Sequence, residues 1–322
     1  MNNLKKIGLS ALAGSLVATS AFAGEMSVAG GASINVEHTN GGAGDSGKTF
    51  SMGNQLTFSG SGELDNGLNV ALSFVIDQND DSTTASGAVN SANTGIPFDS
   101  HSVTISSDGL GSLKFSGEGG SSALTAMDGT AAGDIWDSFD GATTVHPTGL
   151  GGGNNSIMYT LPTFMDDVAI NASYTPTGEG AESSTAYNLT YSGVEGLSVS
   201  YASGDGTNSG TDGTAMKASY AIGSFTVAYS DYEHDTTGTA SDDETTSYKL
   251  SYTVSDELSL TYGTEEVSRG TLVDGEYDSM SASYTAGGMT ITATFQEAEN
   301  MDGTTTATQD RERWALGASF AF

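Results

Sequence analysis

Apolar and polar residues alternate along most of this chain, in runs of roughly ten residues, which is the pattern of β-strands with one apolar face. In one such run Tyr248, Leu250 and Tyr252 share a face, with Lys249 and Ser251 between them. The next run carries the same pattern on its way back, from Leu258 to Tyr262. Repeated along the chain, this alternation predicts 16 strands joined as antiparallel hairpins, with a period of roughly 30 residues per hairpin.

Two kinds of connection alternate between the predicted strands. Tight turns occur near residues 65–67, 108–111, 194–196, 255–256 and 287–288. Several carry Asn-Gly, Asp-Gly or Gly-Gly, which favour short hairpin loops because the turn requires positive φ angles. Longer acidic connections occur at residues 204–213, 234–243 and 299–306. The two ends of the sheet are therefore different, with short turns at one end and long loops at the other.

Aromatic residues mark both ends of the apolar face. One set lies just before the tight turns, at Tyr191, Tyr220, Tyr252 and Tyr284. The other lies at the far ends of the returning strands, at Tyr174, Tyr201, Tyr229, Tyr262 and Phe295. Aromatic rings with one apolar end and one end in water favour membrane interfaces. A sheet in lipid must close into a barrel, because every backbone polar group needs a hydrogen-bond partner. A sandwich would instead bury the apolar faces against each other. We predict an all-β fold, a 16-stranded antiparallel transmembrane β-barrel.

The first 23 residues predict a secretory signal peptide. Lys5 and Lys6 precede a short apolar stretch that ends in Ala21-Phe22-Ala23, an A-x-A cleavage site. The mature chain is then residues 24–322, a single barrel domain. Removing two of the 9 basic residues and none of the 40 acidic ones leaves 7 against 40, a formal charge of −33.

The composition excludes several functions. A chain this acidic does not bind the phosphate backbone of a nucleic acid, since that binding requires Lys and Arg. Catalysis is not expected, because no serine or histidine occurs in a distinctive context. Hydrophobic content is 36% and there is no Cys, so neither a large soluble core nor a disulfide framework is indicated. The acidic run at residues 241–244 offers oxygen ligands for Ca²⁺, but it matches no binding-loop signature, and solvated acids are the alternative.

The stretch from Gly119 to Asn155 interrupts the alternation. A connection this long inside a compact domain indicates a functional loop. We predict that residues 119–155 fold into the barrel lumen and narrow it. The acids of this constriction loop that would face the pore are Asp128, Asp134, Asp137 and Asp140. The alternative is that they are ordinary loop acids facing solvent.

Side-chain parity predicts which charges on the strands face the same pore, because successive residues of a strand point to opposite faces. The inward bases are Lys114, Lys217, Lys249, Arg311 and Arg313, and the inward acids include Asp77, Glu118 and Glu265. Amines opposite carboxylates across a narrow aqueous gap create a transverse field, and rings of charge tune ion preference. Because acids outnumber bases so strongly, we predict a weak cation preference.

These features together resemble the general diffusion porins of Gram-negative outer membranes, most closely the alphaproteobacterial type. The resemblance is carried by the signal ending Ala21-Phe22-Ala23, the alternating strands, the long third loop and the last strand. That strand ends at Phe322, with Trp314, Leu316, Ala318 and Phe320 on the same face. The resemblance implies a passive channel for small hydrophilic solutes and ions in the outer membrane, reached by export through the periplasm.

The resemblance also implies partners. It implies a homotrimer, contact with outer-membrane lipid and lipopolysaccharide, and recognition of the terminal Phe322 by the barrel assembly machinery. Gly30, Ala32 and Ala318 are small outward residues near the closure point and fit a subunit contact, or they ease strand curvature. The alternative functions within the same compartment are a substrate-specific outer-membrane channel and an adhesin-like surface barrel.

Overall fold

The computed structural model describes residues 26–41, 47–77, 98–127, 129–139, 152–163, 165–176, 182–206, 210–236, 242–301, 303, 305 and 310–322. The predicted signal peptide, Asp128 and Asp140 lie outside these ranges. Within them, no helix is long and apolar enough to cross a membrane.

Eighteen strands account for most of the described chain. They are β1 (Met26–Asn40), β2 (Gly47–Glu63), β3 (Asn69–Asp77), β4 (Phe98–Ser107), β5 (Gly111–Glu118), β6 (Gly120–Ser121), β7 (Gly152–Gly153), β8 (Ser156–Thr160), β9 (Val168–Thr175), β10 (Ser184–Tyr191), β11 (Leu197–Asp205), β12 (Thr211–Ile222), β13 (Phe225–Thr236), β14 (Asp243–Thr253), β15 (Leu258–Arg269), β16 (Gly275–Ala286), β17 (Met289–Glu299) and β18 (Arg311–Ala321).

Sixteen of these strands form one closed barrel in which each strand pairs with its neighbours, and β1 closes the ring against β18. β6 and β7 pair only with each other, as a small two-stranded sheet. Every pairing in the barrel is antiparallel. The predicted 16-stranded antiparallel barrel is confirmed.

The two faces of the barrel sheet differ in polarity as the alternation predicts. On β14 the apolar face presents Tyr248, Leu250 and Tyr252, all exposed, while Thr245 and Ser247 on the other face are buried. The strand register places apolar-face residues opposite one another, since Leu250 lies opposite Tyr262 and Val227. We call the two sides the apolar face and the polar face. An apolar face that is exposed around the ring needs a non-aqueous surrounding.

The two aromatic rows lie on the apolar face. Eight of the nine predicted residues are exposed, namely Tyr174, Tyr191, Tyr201, Tyr220, Tyr252, Tyr262, Tyr284 and Phe295. Tyr229 is half-buried, with its ring centroid 5.1 Å from that of Tyr248 on the next strand.

The last residue of the chain closes the barrel beside Gly30. The Gly30 N–H donates to the Phe322 carbonyl at 2.7 Å, and the Phe322 N–H donates to the Gly30 carbonyl at 3.0 Å. A Cβ on Gly30 would overlap the Phe322 ring, so the ring covers the space that the glycine leaves. The small size of Gly30 therefore has a reason within the chain, in addition to the two considered from the sequence.

One tight turn depends on a glycine in a left-handed conformation. Gly196 has φ 78°, and a Cβ there would overlap the carbonyl oxygen of Ala221 on the neighbouring hairpin. We expect Gly196→Ala to lower the free energy of unfolding by about 1–3 kcal/mol from backbone strain, and further through the displaced carbonyl. Thermal unfolding in detergent, monitored by circular dichroism, measures this loss of stability. Gly223→Ala is the matched control, because Gly223 also has positive φ (58°) but nothing lies within 4 Å of the added Cβ. Equal losses for the two variants would contradict the role of the overlap.

Candidate functional site

The described residues from Ser122 to Phe139, which leave out Asp128, pack against the polar face of the barrel, and we call them the docked segment. It contains two short 3₁₀ helices, Thr125–Met127 and Ile135–Ser138. Five of its apolar side chains lie in two buried clusters. The first cluster contains Ala123, Leu124, Met127, Ala186, Ala202, Ala215 and Tyr232, and the second contains Ile135, Phe139, Val267, Tyr277, Ala298 and Met301. The wall residues of both clusters come from seven strands, β10 to β13 and β15 to β17, apart from Met301 just beyond β17.

Hydrogen bonds hold the docked segment along the same wall. Three of its backbone N–H groups donate to serine hydroxyls on β9, β13 and β14, and two wall amides donate back to it. The bonds are Ala123 N to Ser173 Oγ (2.8 Å), Ala131 N to Ser230 Oγ (2.8 Å), Ala132 N to Ser247 Oγ (2.9 Å), Asn188 Nδ2 to Ala123 O (2.7 Å) and Gln296 Nε2 to Ser138 Oγ (3.0 Å). These short hydroxyl side chains bring the backbone of the segment close to the sheet.

Glu265 on β15 is the main carboxylate in this contact. Its side chain is buried, with 1% exposure. The Thr130 hydroxyl donates to one carboxylate oxygen, and the Trp136 N–H donates to the other at 3.2 Å. The Thr130 hydroxyl in turn accepts the N–H groups of Gly133 and Asp134. One carboxylate thus holds both ends of the turn between the two 3₁₀ helices.

The predicted pore acids lie in different surroundings. Asp134 adopts a left-handed conformation (φ 54°), and its carboxylate accepts the Thr130 N–H at 2.8 Å, so it stabilises the turn itself. Asp137 is exposed in the second 3₁₀ helix. Glu118 is half-buried at the end of β5, opposite His101. Asp128 and Asp140 lie outside the described residues.

The predicted pore bases are spread over the polar face. Lys114 on β5 is exposed, and Lys249 on β14 is half-buried with Ala228 and Gly263 as its register neighbours. The Lys217 amine lies 5.8 Å from the ring centroid of Tyr232. Arg311 is buried at the start of β18. These bases do not form one cluster.

Arg313 is paired with an acid that the sequence reasoning missed. Glu37 on β1 forms an ion pair with the Arg313 guanidinium, whose Nε donates to Glu37 Oε2 at 3.1 Å. Nη1 of Arg313 donates to Gln296 Oε1 at 2.5 Å, and Gln296 reaches Ser138. The pair therefore links the barrel closure to the docked segment. Parity would have found Glu37, because it lies between the outward Val36 and His38.

A second charged group lies where β13 and β15 end and β14 begins. Asp243 is buried, with its carboxylate 3.6 Å from His234 Nδ1 and 3.7 Å from Arg269 Nε. This residue belongs to the acidic run considered for Ca²⁺. Among the described residues, no three His, Cys, Asp or Glu side chains are placed to hold a metal ion.

The family of the chain is shown by its sequence. A sequence profile described as Gram-negative porin matches residues 8–275. The chain belongs to the Gram-negative porin family. The resemblance predicted from the sequence is confirmed, and membership places the protein among the porin channels of the Gram-negative outer membrane.

Solved structures of an outer membrane protein and of a porin share the fold at low identity. A loop-deletion mutant of OmpT, an outer membrane protein of Vibrio cholerae, superposes with a TM-score of 0.69 at 16% identity, over 93% of this chain and 99% of that one. A triple mutant of the Rhodopseudomonas blastica porin gives a TM-score of 0.66 at 15% identity, over 92% of this chain and 100% of that one. No curated protein matches the sequence. At these identities the likeness shows the fold alone.

Proposed function

We propose that this porin is a passive diffusion channel for small hydrophilic solutes and ions, and that the docked segment narrows its pore. One observation carries the proposal: the hydrogen bonds of the docked segment reach side chains on β9, β10, β13, β14, β15 and β17. A segment this short contacts so many strands of a closed barrel only from the concave side. The polar face then lines the pore, and the exposed apolar face meets lipid.

The charges support a weak cation preference. Many of the acidic residues on the strands lie on the apolar side, beyond the aromatic row at the long-loop end: Asp205, Asp212, Asp231, Glu233, Glu244, Glu266, Glu276, Asp278, Glu297, Glu299 and Glu312. On the polar face the described charges are nearly matched in number. The large net charge of the chain therefore acts mainly from outside the pore, and its influence on permeating ions falls as salt shortens the screening length.

Membership in the porin family and the terminal Phe322 beside β1 support the assembly that we propose. The signal peptide of residues 1–23 directs export of the chain to the periplasm. In the outer membrane the protein forms a homotrimer surrounded by lipid and lipopolysaccharide. The barrel assembly machinery reads the terminal Phe322. Cross-linking of the purified protein tests the subunit number, and recovery of monomers alone would remove the trimer.

Single-channel conductance of the refolded protein in planar bilayers tests the channel and its constriction together. We expect the full chain to form open channels, and a variant lacking residues 125–145 to conduct more while retaining its β-sheet circular dichroism. A variant lacking residues 207–209 is the control, because it shortens another long connection. A full chain without channels would refute the proposed function, and an unchanged conductance after the first deletion would refute the constriction.

A further inference from the structure

A cavity of about 280 Å³ lies against the polar face at the tight-turn end of β1 to β4. Six hydroxyl side chains line it, and we call it the serine niche: Ser27, Ser59, Ser61, Ser73, Ser102 and Thr104. The other described lining residues are Gly60, Ala71 and Leu72, so none is charged or aromatic. Its volume is near the lower end of ligand pockets, which suits a single small solute.

Strand register aligns four of the five niche serines in one row. Ser27 lies opposite Ser59, Ser59 opposite Ser73, and Ser73 opposite Ser102. The row continues through Ser116 on β5 to Ser156 on β8. Adjacent strands are ~4.8 Å apart, so the part of the row from Ser27 to Ser102 spans about 14 Å. Ser27 Oγ and Ser59 Oγ are within hydrogen-bond distance, at 2.7 Å.

The niche and the docked segment belong to different parts of the wall. The hydrogen bonds of the docked segment lead to β9, β10, β13, β14, β15 and β17, whereas the niche is built from β1, β2, β3 and β4. Ser27 and Ser61 are exposed, and Ser59, Ser73, Ser102 and Thr104 are half-buried. The hydroxyls are therefore accessible from the pore.

We propose that the serine niche binds neutral polyhydroxylated solutes, such as sugar alcohols and small sugars, as they pass through the channel. Each serine hydroxyl donates one hydrogen bond and accepts others, so a row of them matches a solute that carries several hydroxyl groups. A solute with ether oxygens accepts hydrogen bonds but donates few. The niche adds no charge, so it leaves ion conduction unchanged. This inference rests on the proposed channel function and names a solute class for it.

Liposome swelling with two neutral solutes of nearly equal mass tests the inference. The probes are xylitol, which is rich in hydroxyls, and triethylene glycol, which is mostly ether. We expect the refolded wild type to admit xylitol faster, after subtraction of protein-free liposomes. The double variant Ser59→Ala/Ser73→Ala removes two central hydroxyls of the row. It should lower the ratio of the two rates about threefold or more, because each lost hydrogen bond weakens binding severalfold.

Ser198→Ala/Ser219→Ala is the matched control. These two serines also lie opposite each other, but on β11 and β12. We expect this variant to keep the wild-type ratio, and both double variants to keep the wild-type conductance. The two single niche variants are measured as well, so that poor refolding of the double variant does not prevent the comparison.

Two results would overturn the niche while leaving the channel intact: equal rates of the two solutes in the wild type, or the same ratio in niche and control variants. A wild type without conductance would instead overturn the channel itself.

Discussion

Replacing Glu265 with alanine is expected to release the docked segment and raise the mean single-channel conductance, with larger current fluctuations. The carboxylate accepts the Thr130 hydroxyl on one oxygen and the Trp136 N–H on the other, in a site that is 1% exposed. Without it, both donors would stay buried without their acceptor. Hydrogen bonds to charged groups contribute roughly 1.5–3 kcal/mol each, and a buried unsatisfied donor costs a similar amount.

Loss of the Glu265 carboxylate should weaken binding of the docked segment to the barrel wall by about 3 kcal/mol. The fraction of molecules with this segment released then rises roughly a hundredfold. The barrel itself should survive, because its hydrogen bonds are between strands. Thermal unfolding of the β-sheet signal should therefore change less than the conductance. Limited proteolysis within residues 119–155 gives a second measurement, since a released segment is cut faster.

Two further variants separate this role from a general effect of losing a negative charge. Glu266→Ala removes the adjacent carboxylate, which is exposed on the other face opposite Glu276, and should leave the conductance near its wild-type value. Glu265→Gln keeps one acceptor oxygen, so its conductance should lie between that of the wild type and that of Glu265→Ala. If Glu265→Ala conducts like Glu266→Ala, the carboxylate does not hold the segment.

Glu37→Gln is expected to destabilise the barrel closure and shift ion preference toward anions. Glu37 is the ion-pair partner of Arg313, whose side chain is only 15% exposed. Breaking a buried pair from one side leaves the other charge without compensation and costs several kcal/mol. Glu37 itself is 30% exposed, so we expect a smaller loss, about 2 kcal/mol. The measurements are the unfolding temperature in detergent and the reversal potential in a salt gradient.

A double-mutant cycle with Arg313→Met isolates the pair. The double variant Glu37→Gln/Arg313→Met removes both charges and should recover part of the stability that Glu37→Gln loses. Glu312→Gln is the control, because Glu312 is exposed on the opposite face of β18. Strictly additive losses in the cycle would show that the two residues are not coupled, and an unchanged reversal potential would show that Glu37 does not face the ion path.

The strands could be predicted from the sequence because their signal is local. A half-exposed strand repeats its pattern every two residues, so Tyr248, Leu250 and Tyr252 identify both the strand and its face without knowledge of any partner. Tight turns with Asn-Gly and Asp-Gly add the connections. The same parity placed Lys114, Lys217 and Lys249 on one side, since the side chain that follows an outward residue must point the other way.

The partners of the charged residues could not be predicted in this way. Arg313 and Glu37 are far apart in the chain and meet only because β18 closes against β1. Glu265 was assigned to the polar face, but its contact with Thr130 depends on where the docked segment lies. Asp134 stays a predicted pore acid, and the hydrogen bond that its carboxylate accepts from the Thr130 N–H follows from a left-handed backbone that the sequence does not indicate. Irregular segments carry no periodicity from which such contacts follow.

The sequence by itself determined the barrel, the face that each strand residue occupies and the membership in the porin family. These depend on alternation and turn chemistry, which act over a few residues. Only the tertiary structure decided which charges pair, which wall the docked segment covers and which serines align across strands. These depend on register and closure, and the free energy that specifies them comes from contacts between residues distant in the chain.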